Sequence, residues 1–194
     1  MNQSSPNSLL NVDGDSPPPA IGFHVDERTL LLLSTFRAFL DHESRILDDS
    51  RRLWEWFALL TPDITYSVPV RLSRERRSRF GEFSPKARHM QEDHASLRMR
   101  IERLDTEHAW AEEPPSRLRR VVSGVEILNQ TGSGEYEVAS SFLLFRGRDR
   151  LEPDLLAGQR HDRLRFDGKN VLLARRTIYL EHTVLPTANL GIFL

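Results

Sequence analysis

Two histidines and two carboxylates lie within six residues of one another, at His89, Glu92, Asp93 and His94. Such a group could hold a metal ion. Zinc motifs on helices, however, place their ligands at i and i+4 or in an H-x-x-E-H spacing. Here the two histidines are five positions apart, which puts them on different faces of a helix. The spacing therefore favours a solvated turn and a helix cap over a metal site.

Two Asp–His pairs could instead supply a general base, at Asp41 with His42 and at Asp93 with His94. Adjacent residues on a helix point about 100° apart, so neither pair can hydrogen-bond directly. A catalytic role would need partners from elsewhere in the fold. A free-standing enzyme with such an acid–base pocket is the alternative hypothesis for the chain's function.

Arginines are concentrated in two stretches that could contact another protein. One is the basic run over residues 71–79, and the other comprises Arg117, Arg119 and Arg120. Arginine forms bidentate ion pairs and is enriched in protein interfaces. The carboxylates at residues 112–113 could equally satisfy the second group locally. The net charge is −1 and the basic run lacks interleaved aromatic residues, so nucleic acid is not an expected partner.

Helices are predicted in the first half of the chain, where they would position these residues. Apolar side chains recur at helical spacing over residues 26–47, with Asp26 or Thr29 as the N-cap. A second helix is predicted over residues 51–60 and a third over residues 93–107. Trp54, Trp56 and Trp110 are expected to anchor the core and the interfaces.

Strands are predicted for most of the remaining chain. Residues 64–70 alternate like a short strand, with Pro69 indicating an edge or a strand end, and residues 71–88 are expected to form a basic loop. Longer strands are predicted over residues 118–128, 135–146, 155–166 and 171–185. Turns at residues 129–134 and 167–168 would join them as hairpins. Helices first and a β meander last indicate an α+β fold, in which a strongly curved antiparallel sheet packs on N-terminal helices as a cone.

Composition restricts the chemistry that this chain could carry. It has 194 residues, which fits one domain, predicted over residues 26–194 behind an extended or disordered tail at residues 1–25. It has no cysteine, so neither a disulfide nor a cysteine-held iron–sulfur cluster is possible within it. No apolar run approaches the roughly 20 residues that span a bilayer, and no secretory signal is visible at the start. A cytoplasmic location with no membrane partner is expected.

Four segments in chain order resemble one family. Residues 45–66 contain a Leu-Asp-Asp, Trp, Leu-Leu, Asp-Ile, Tyr pattern, and residues 110–123 contain a Trp-x-acidic-x-Pro-x-Ser-Arg-x-Arg-like pattern followed by a β-branched pair and Ser. Residues 174–180 read Ala-Arg-Arg-Thr-Ile-Tyr-Leu, and residues 189–194 form an apolar end. Together they resemble the small, or β, subunits of aromatic-ring-hydroxylating (Rieske-type) dioxygenases. Gly124 departs from the Asn that is usual in that family, which bears on the local strand geometry.

The resemblance implies a nuclear-transport-factor-2-like (NTF2-like) cone and a structural role. The chain would form a trimer that supports three catalytic α subunits in an α3β3 hexamer. The α subunit would hold the Rieske 2Fe–2S cluster and a mononuclear Fe(II), with no cofactor, metal or catalytic residue in this chain. Electrons from NADH would arrive through a ferredoxin and reductase, and O₂ would be added to an aromatic ring to give a cis-dihydrodiol. Its family-motif and interface candidates are Trp110, Glu112, Pro115, Ser116, Arg117, Arg119, Arg120, Arg176 and Phe193.

The last residues of the chain support an assembly independently of that resemblance. Ile192, Phe193 and Leu194 are unusually apolar for a chain end. A segment of this kind is expected to lie in the core or under a neighbouring subunit.

Overall fold

Six strands and three α-helices make up the described part of the chain. The structure is a computed structural model that describes residues 25–73, 81–104, 116–147, 152–187 and 190–194. Its helices are α1 (Glu27–Leu47), α2 (Leu53–Phe57) and α3 (His94–Leu104). Its strands are β1 (Leu60–Arg71), β2 (Phe83–Asp93), β3 (Arg117–Gly132), β4 (Glu135–Gly147), β5 (Asp154–Asp167) and β6 (Asn170–Leu180).

The strands form one curved sheet in the order β2-β1-β6-β5-β4-β3. Strands β3 to β6 are consecutive antiparallel neighbours, as the predicted meander requires. Strand β1 is antiparallel to β2 and parallel to β6, so the sheet is mixed because of the junction between β1 and β6. The junction joins two distant parts of the chain, and no local sequence pattern could have indicated its direction.

Helix α1 packs against the face of the sheet that we call the inner face. Asp26 caps the helix by accepting a hydrogen bond from the Thr29 amide (3.0 Å), which satisfies one of the unpaired N–H groups of the first turn. The Phe36 ring contacts Tyr136 of β4 and Phe166 of β5 at centroid distances of 5.4 and 5.9 Å. The predicted stripe along residues 26–47 is therefore the stripe that enters the core.

The second predicted helix is shorter than expected. A 3-10 turn (Ser50–Arg52) leads into α2, which ends at Phe57, and β1 already begins at Leu60. The Leu173 amide of β6 donates to the Leu59 carbonyl (2.8 Å), and this long-range bond draws the segment into the sheet. Helical periodicity could not show that the end of this segment would bond to β6 instead of continuing the helix.

The expected loop over residues 71–88 was wrong for its last part, because β2 begins at Phe83. Residues 83–88 pair with β1 through the backbone, although their polar sequence did not indicate a strand. Pro69 also does not mark an edge strand, since β1 lies between β2 and β6. It lies at a shift of register after Val68, where a missing N–H interrupts the ladder least.

Glycines allow the turns and the irregular points of the sheet. Gly124 has φ +60° and lies where the β3–β4 register shifts between Ser123 and Glu126, so the departure noted in the sequence coincides with a bulge. Gly134 and Gly168 have φ of +76° and +61° in the two predicted hairpin turns.

The remaining boundaries differ modestly from the predictions. Helix α3 begins at His94 and is described to Leu104, while residues 105–107 of its predicted range lie outside the described residues. Strand β6 ends at Leu180, before the predicted 185. Of the predicted tail, only Val25 is described, so the tail stays a prediction. Among the described residues, no helix is both long and apolar enough to cross a membrane.

Candidate functional site

The outer face of the sheet carries side chains that lie in rows across the strands. Over residues 136–146 of β4 and 155–165 of β5, even-numbered residues are buried and odd-numbered residues are exposed or partly exposed. This alternation assigns Leu143 and Leu155 to the outer face and Leu144 and Leu156 to the core. The backbone register then shows which outer residues are neighbours.

Two adjacent rows of the outer face are apolar. Val121 of β3 pairs with Leu143 of β4, and Phe145 of β4 pairs with Leu155 of β5. These four residues are 59%, 48%, 44% and 55% exposed, respectively. Contiguous apolar groups of this kind on a folded chain mark an interaction site. We call them the apolar rows.

Other rows of the same face are neutralised within the chain. Glu137 accepts hydrogen bonds from Arg163 (2.8 Å) and Arg175 (2.6 Å). Burial raises the pKa of Glu137, but the two arginines outweigh it, so that the pKa lies below its ordinary value. Arg165 forms a two-bond pair with Asp63 (2.8 Å each), which holds the pKa of that carboxyl well below its usual range. The charged side chains of this face are therefore paired within the chain, whereas the apolar rows remain exposed to solvent.

The inner face carries a buried charge cluster beneath α1. Arg176 of β6 donates two hydrogen bonds to Asp162 of β5 (2.8 and 2.7 Å) and two to Glu43 of α1 (2.8 Å each). The Trp56 indole also donates to Glu43 (2.9 Å). Arg176, Glu43 and Asp162 are at most 1% exposed, so each charge depends on the others for compensation.

Arg160 is a second, less satisfied cation in this cluster. Its Nη1 lies 3.6 Å from Oε2 of Glu43, and its guanidinium stands 5.0 Å from the centroid of the Phe142 ring. None of its three nitrogens has a hydrogen-bond partner among the described residues. Burial, aided by the nearby charge of Arg176, lowers the pKa of Arg160 to about 10.

The end of the described chain enters the same interior. The Phe193 ring packs on Trp56 with centroids 4.4 Å apart. The Tyr66 hydroxyl donates to the Leu194 carbonyl and accepts from the Leu194 amide, both at 2.8 Å. Of the two locations expected for residues 192–194, the structure selects the core of the same chain, where they are at most 6% exposed.

The interface candidates from the sequence separate into different environments. Arg119 and Arg117 project outward from β3 and are exposed. Arg120 points inward, pairs with Asp48 (2.7 Å) and donates to the Phe193 carbonyl. Ser116 accepts from the buried Arg146 (3.1 Å).

Two further candidates, Arg176 and Phe193, are core residues of this chain. Trp110, Glu112 and Pro115 lie outside the described residues, as do the carboxylates that could have paired locally with Arg117. Sequence analysis missed Glu43 and Asp162, although a charged residue inside an apolar helical or alternating stripe is a detectable signal.

The histidine candidates occupy ordinary structural positions. Asp93 accepts a hydrogen bond from the Ser96 amide (2.9 Å), so it acts as the cap of α3. His94 packs on the Phe57 ring at 4.4 Å. Within the described ranges, no three His, Asp or Glu side chains come together as a possible metal site. Trp56 is a core anchor as expected, whereas Trp54 is 41% exposed.

The charge cluster should make the fold sensitive to acid. Burial raises the pKa of Glu43, but Arg176 and Arg160 outweigh it and hold the pKa below the ordinary 4.5. Stability from this group is therefore present above pH 4.5 and is lost as pH falls through the lower folded-state pKa. Urea unfolding from pH 7 to 3 should show a gap between the parent and Glu43→Gln that closes in acid. A gap that stays constant with pH would contradict this.

Comparisons with known proteins agree with this geometry. A family model described as ring hydroxylating β subunit matches residues 42–187. The biphenyl 2,3-dioxygenase β subunit of Rhodococcus jostii is 33% identical over 94% of this chain and 99% of its own length. The benzene 1,2-dioxygenase β subunit of Pseudomonas putida is 35% identical over 78% of this chain and 82% of its own.

A solved structure supports the fold. A chain of naphthalene 1,2-dioxygenase, determined with indole in its active site, superposes with a TM-score of 0.74 at 23% identity, covering 85% of this chain and 86% of that one. The expected NTF2-like architecture, a curved sheet on N-terminal helices, is thereby confirmed.

Proposed function

Because this chain belongs to the ring-hydroxylating β-subunit family, we propose that it is the small structural subunit of an aromatic-ring dioxygenase. It holds a larger catalytic α subunit in place rather than reacting with substrate itself. The observation that carries the proposal is the match to β subunits over nearly the whole chain. The exposed apolar rows supply the surface that such a role requires.

The redox centres of the proposed complex are assigned to the α subunit. A Rieske cluster needs two cysteine ligands, and this chain has no cysteine. The family resemblance implies that the α subunit also holds a mononuclear Fe(II) and receives electrons from NADH through a ferredoxin and reductase. That partner would add O₂ to an aromatic ring to give a cis-dihydrodiol. The complex would work in the cytoplasm, where NADH is available.

We assign the complex an α3β3 arrangement built on a β trimer. An apolar surface on one flank of each copy suits a closed ring of identical subunits. Substrate choice belongs mainly to the α subunit, so the biphenyl and benzene of the relatives' names indicate only an aromatic compound.

The alternative is a free-standing enzyme of the same fold, such as a dehydratase, cyclase or isomerase. Such an enzyme needs a polar pocket that substrate can enter. In this chain the described interior contains the paired charges of Glu43, Asp162 and Arg176, and the side chains of residues 192–194 pack beside them. This packing favours the structural role.

Co-expression with an α subunit tests the proposal. The chain should purify with α as a particle of about six chains by size exclusion with light scattering, and iron should be present only when α is present. If the chain forms an iron-free particle and does not bind α, the structural role is refuted and the enzyme alternative is favoured.

A further inference from the structure

We propose that a cleft at one border of the outer face is a socket for an arginine side chain from a second copy of this chain, with Arg119 as the main occupant. This rests on the proposed function, because it names a contact between β subunits. The cleft encloses about 560 Å³ and lies where β2, β1, β6 and β5 meet. Its lining residues are Arg71, Glu82, Phe83, Gln159, His161, Tyr179 and Glu181.

The wall of the cleft is a ladder of aromatic rings. Phe83 of β2 contacts Tyr179 of β6 at a centroid distance of 4.8 Å, and Tyr179 contacts His161 of β5 at 5.0 Å. The guanidinium of Arg71 already lies 4.7 Å over the Phe83 ring. The faces of such rings are surfaces on which a further planar cation can stack.

The charge of the cleft also calls for a cation. Glu82 and Glu181 both pair with the single guanidinium of Arg71, at 2.7 Å each. In these contacts each carboxylate uses its Oε2 atom, and the two side chains are 72% and 53% exposed. Among the described lining residues, two carboxylates share one guanidinium, so an added guanidinium would supply the second carboxylate with a partner of its own.

The opposite border of the outer face is basic. The Arg119 side chain is 75% exposed, and its one ion pair among the described residues is a long 3.8 Å contact with Asp48. Asp48 is already held at 2.7 Å by Arg120. Arg117, two residues earlier on the same side of β3, is also exposed. The outer face is thus basic at β3 and acidic at the cleft.

The two borders cannot meet within one copy. Arg119 lies on β3 and Tyr179 on β6, three strands away in the sheet order. At about 4.8 Å per strand step this is about 14 Å, farther than one arginine side chain reaches. We therefore assign the arginine that enters the cleft to a second copy of the chain. A contact between unlike surfaces of identical chains is the kind that closes a ring.

The apolar rows lie between the two borders. On the basic border, Arg119 pairs across the strands with Phe145, which belongs to the apolar rows. On the other border, Gln159 and Glu181 line both the cleft and the apolar depression around Leu143. Burying the rows would remove water from the neighbouring ion pair. Exposed ion pairs contribute little to binding, whereas desolvated cation–aromatic pairs contribute more.

A charge swap tests the contact. Self-association of the chain is measured by sedimentation for the parent, for Arg119→Glu, for Glu181→Arg and for the double variant. Each single change should weaken association at least tenfold, and the double variant should recover most of it. Thermal melts verify folding, and Arg117→Glu replaces Arg119→Glu if the latter does not fold. Matched controls are Arg98→Glu and Glu102→Arg, which pair within α3 and should have no effect.

The outcomes separate this proposal from the proposed function. Single variants that associate normally, or a double variant that does not recover, would overturn the socket. Variants that weaken α binding while β–β association is unchanged would also overturn it and assign the cleft to α, leaving the proposed function intact. Failure of the parent chain to join α would refute the proposed function itself.

Discussion

Replacing Arg176 by methionine is expected to lower the free energy of unfolding by about 3–5 kcal/mol. The change removes four hydrogen bonds to carboxylates and a longer fifth one to the Leu194 carbonyl (3.4 Å), and it leaves Glu43 and Asp162, both at most 1% exposed, with far less compensation. Arg160 compensates Glu43 only in part, because it approaches Glu43 to 3.6 Å without a hydrogen bond. Urea denaturation followed by circular dichroism at pH 7 would measure the effect.

The adjacent residue provides a matched control. Arg175 points to the outer face, is 39% exposed and pairs with Glu137. Its replacement by methionine should cost under about 1 kcal/mol, because a partly exposed pair is screened by water. Equal losses at the two positions would show that the buried cluster has no special role in stability.

The loss of Arg176 should be partly reversible by removing one of its two partners. With Arg176→Met alone, Glu43 and Asp162 remain opposite the remaining cation of the cluster, Arg160. Adding Asp162→Asn removes the second anion and keeps Glu43 as the counter-charge of Arg160, and neutral groups of similar volume often replace buried charges at little cost. The double variant is therefore expected to be more stable than Arg176→Met alone.

Leu143→Arg is expected to weaken assembly by about thirtyfold or more while leaving the chain folded. Leu143 lies at the centre of the apolar rows and is 48% exposed, so a long polar side chain can extend into water in the isolated subunit. At an interface the same guanidinium would be buried against apolar groups without a partner. Loss of a central interface residue costs about 2 kcal/mol or more, which is about a thirtyfold weaker association.

Light scattering of the purified chain and of its co-expressed complex would measure this loss. Met99→Arg is the control, because Met99 is 61% exposed on α3, away from the sheet's outer face. Assembly that tolerates Leu143→Arg as well as Met99→Arg would exclude the apolar rows from the interface. Unfolding of Leu143→Arg would be visible by circular dichroism and would be resolved with the milder Leu143→Ser.

The long elements could be predicted because their signals are local. The stripe that becomes α1 and the alternation that becomes β4 and β5 are each present within one segment of chain. Strand β1 was also predicted from its alternation, over residues 64–70, but β2 could not be placed in this way. Strand β2 carries few apolar residues, and its position depends on backbone pairing with β1 rather than on its own pattern.

The family, the α+β class, the two longer helices and the meander could be inferred from the sequence, and the lack of cysteine excludes a cysteine-held cluster from this chain. The role of each arginine became apparent only in the folded chain. Arg119 and Arg120 are adjacent, yet one faces water and the other binds Asp48 and Phe193 in the core. This is because the free-energy cost of burying a charge depends on the groups around it. Glu43, Asp162 and Arg176 lie on α1, β5 and β6, and they come into contact only when the sheet packs on the helix.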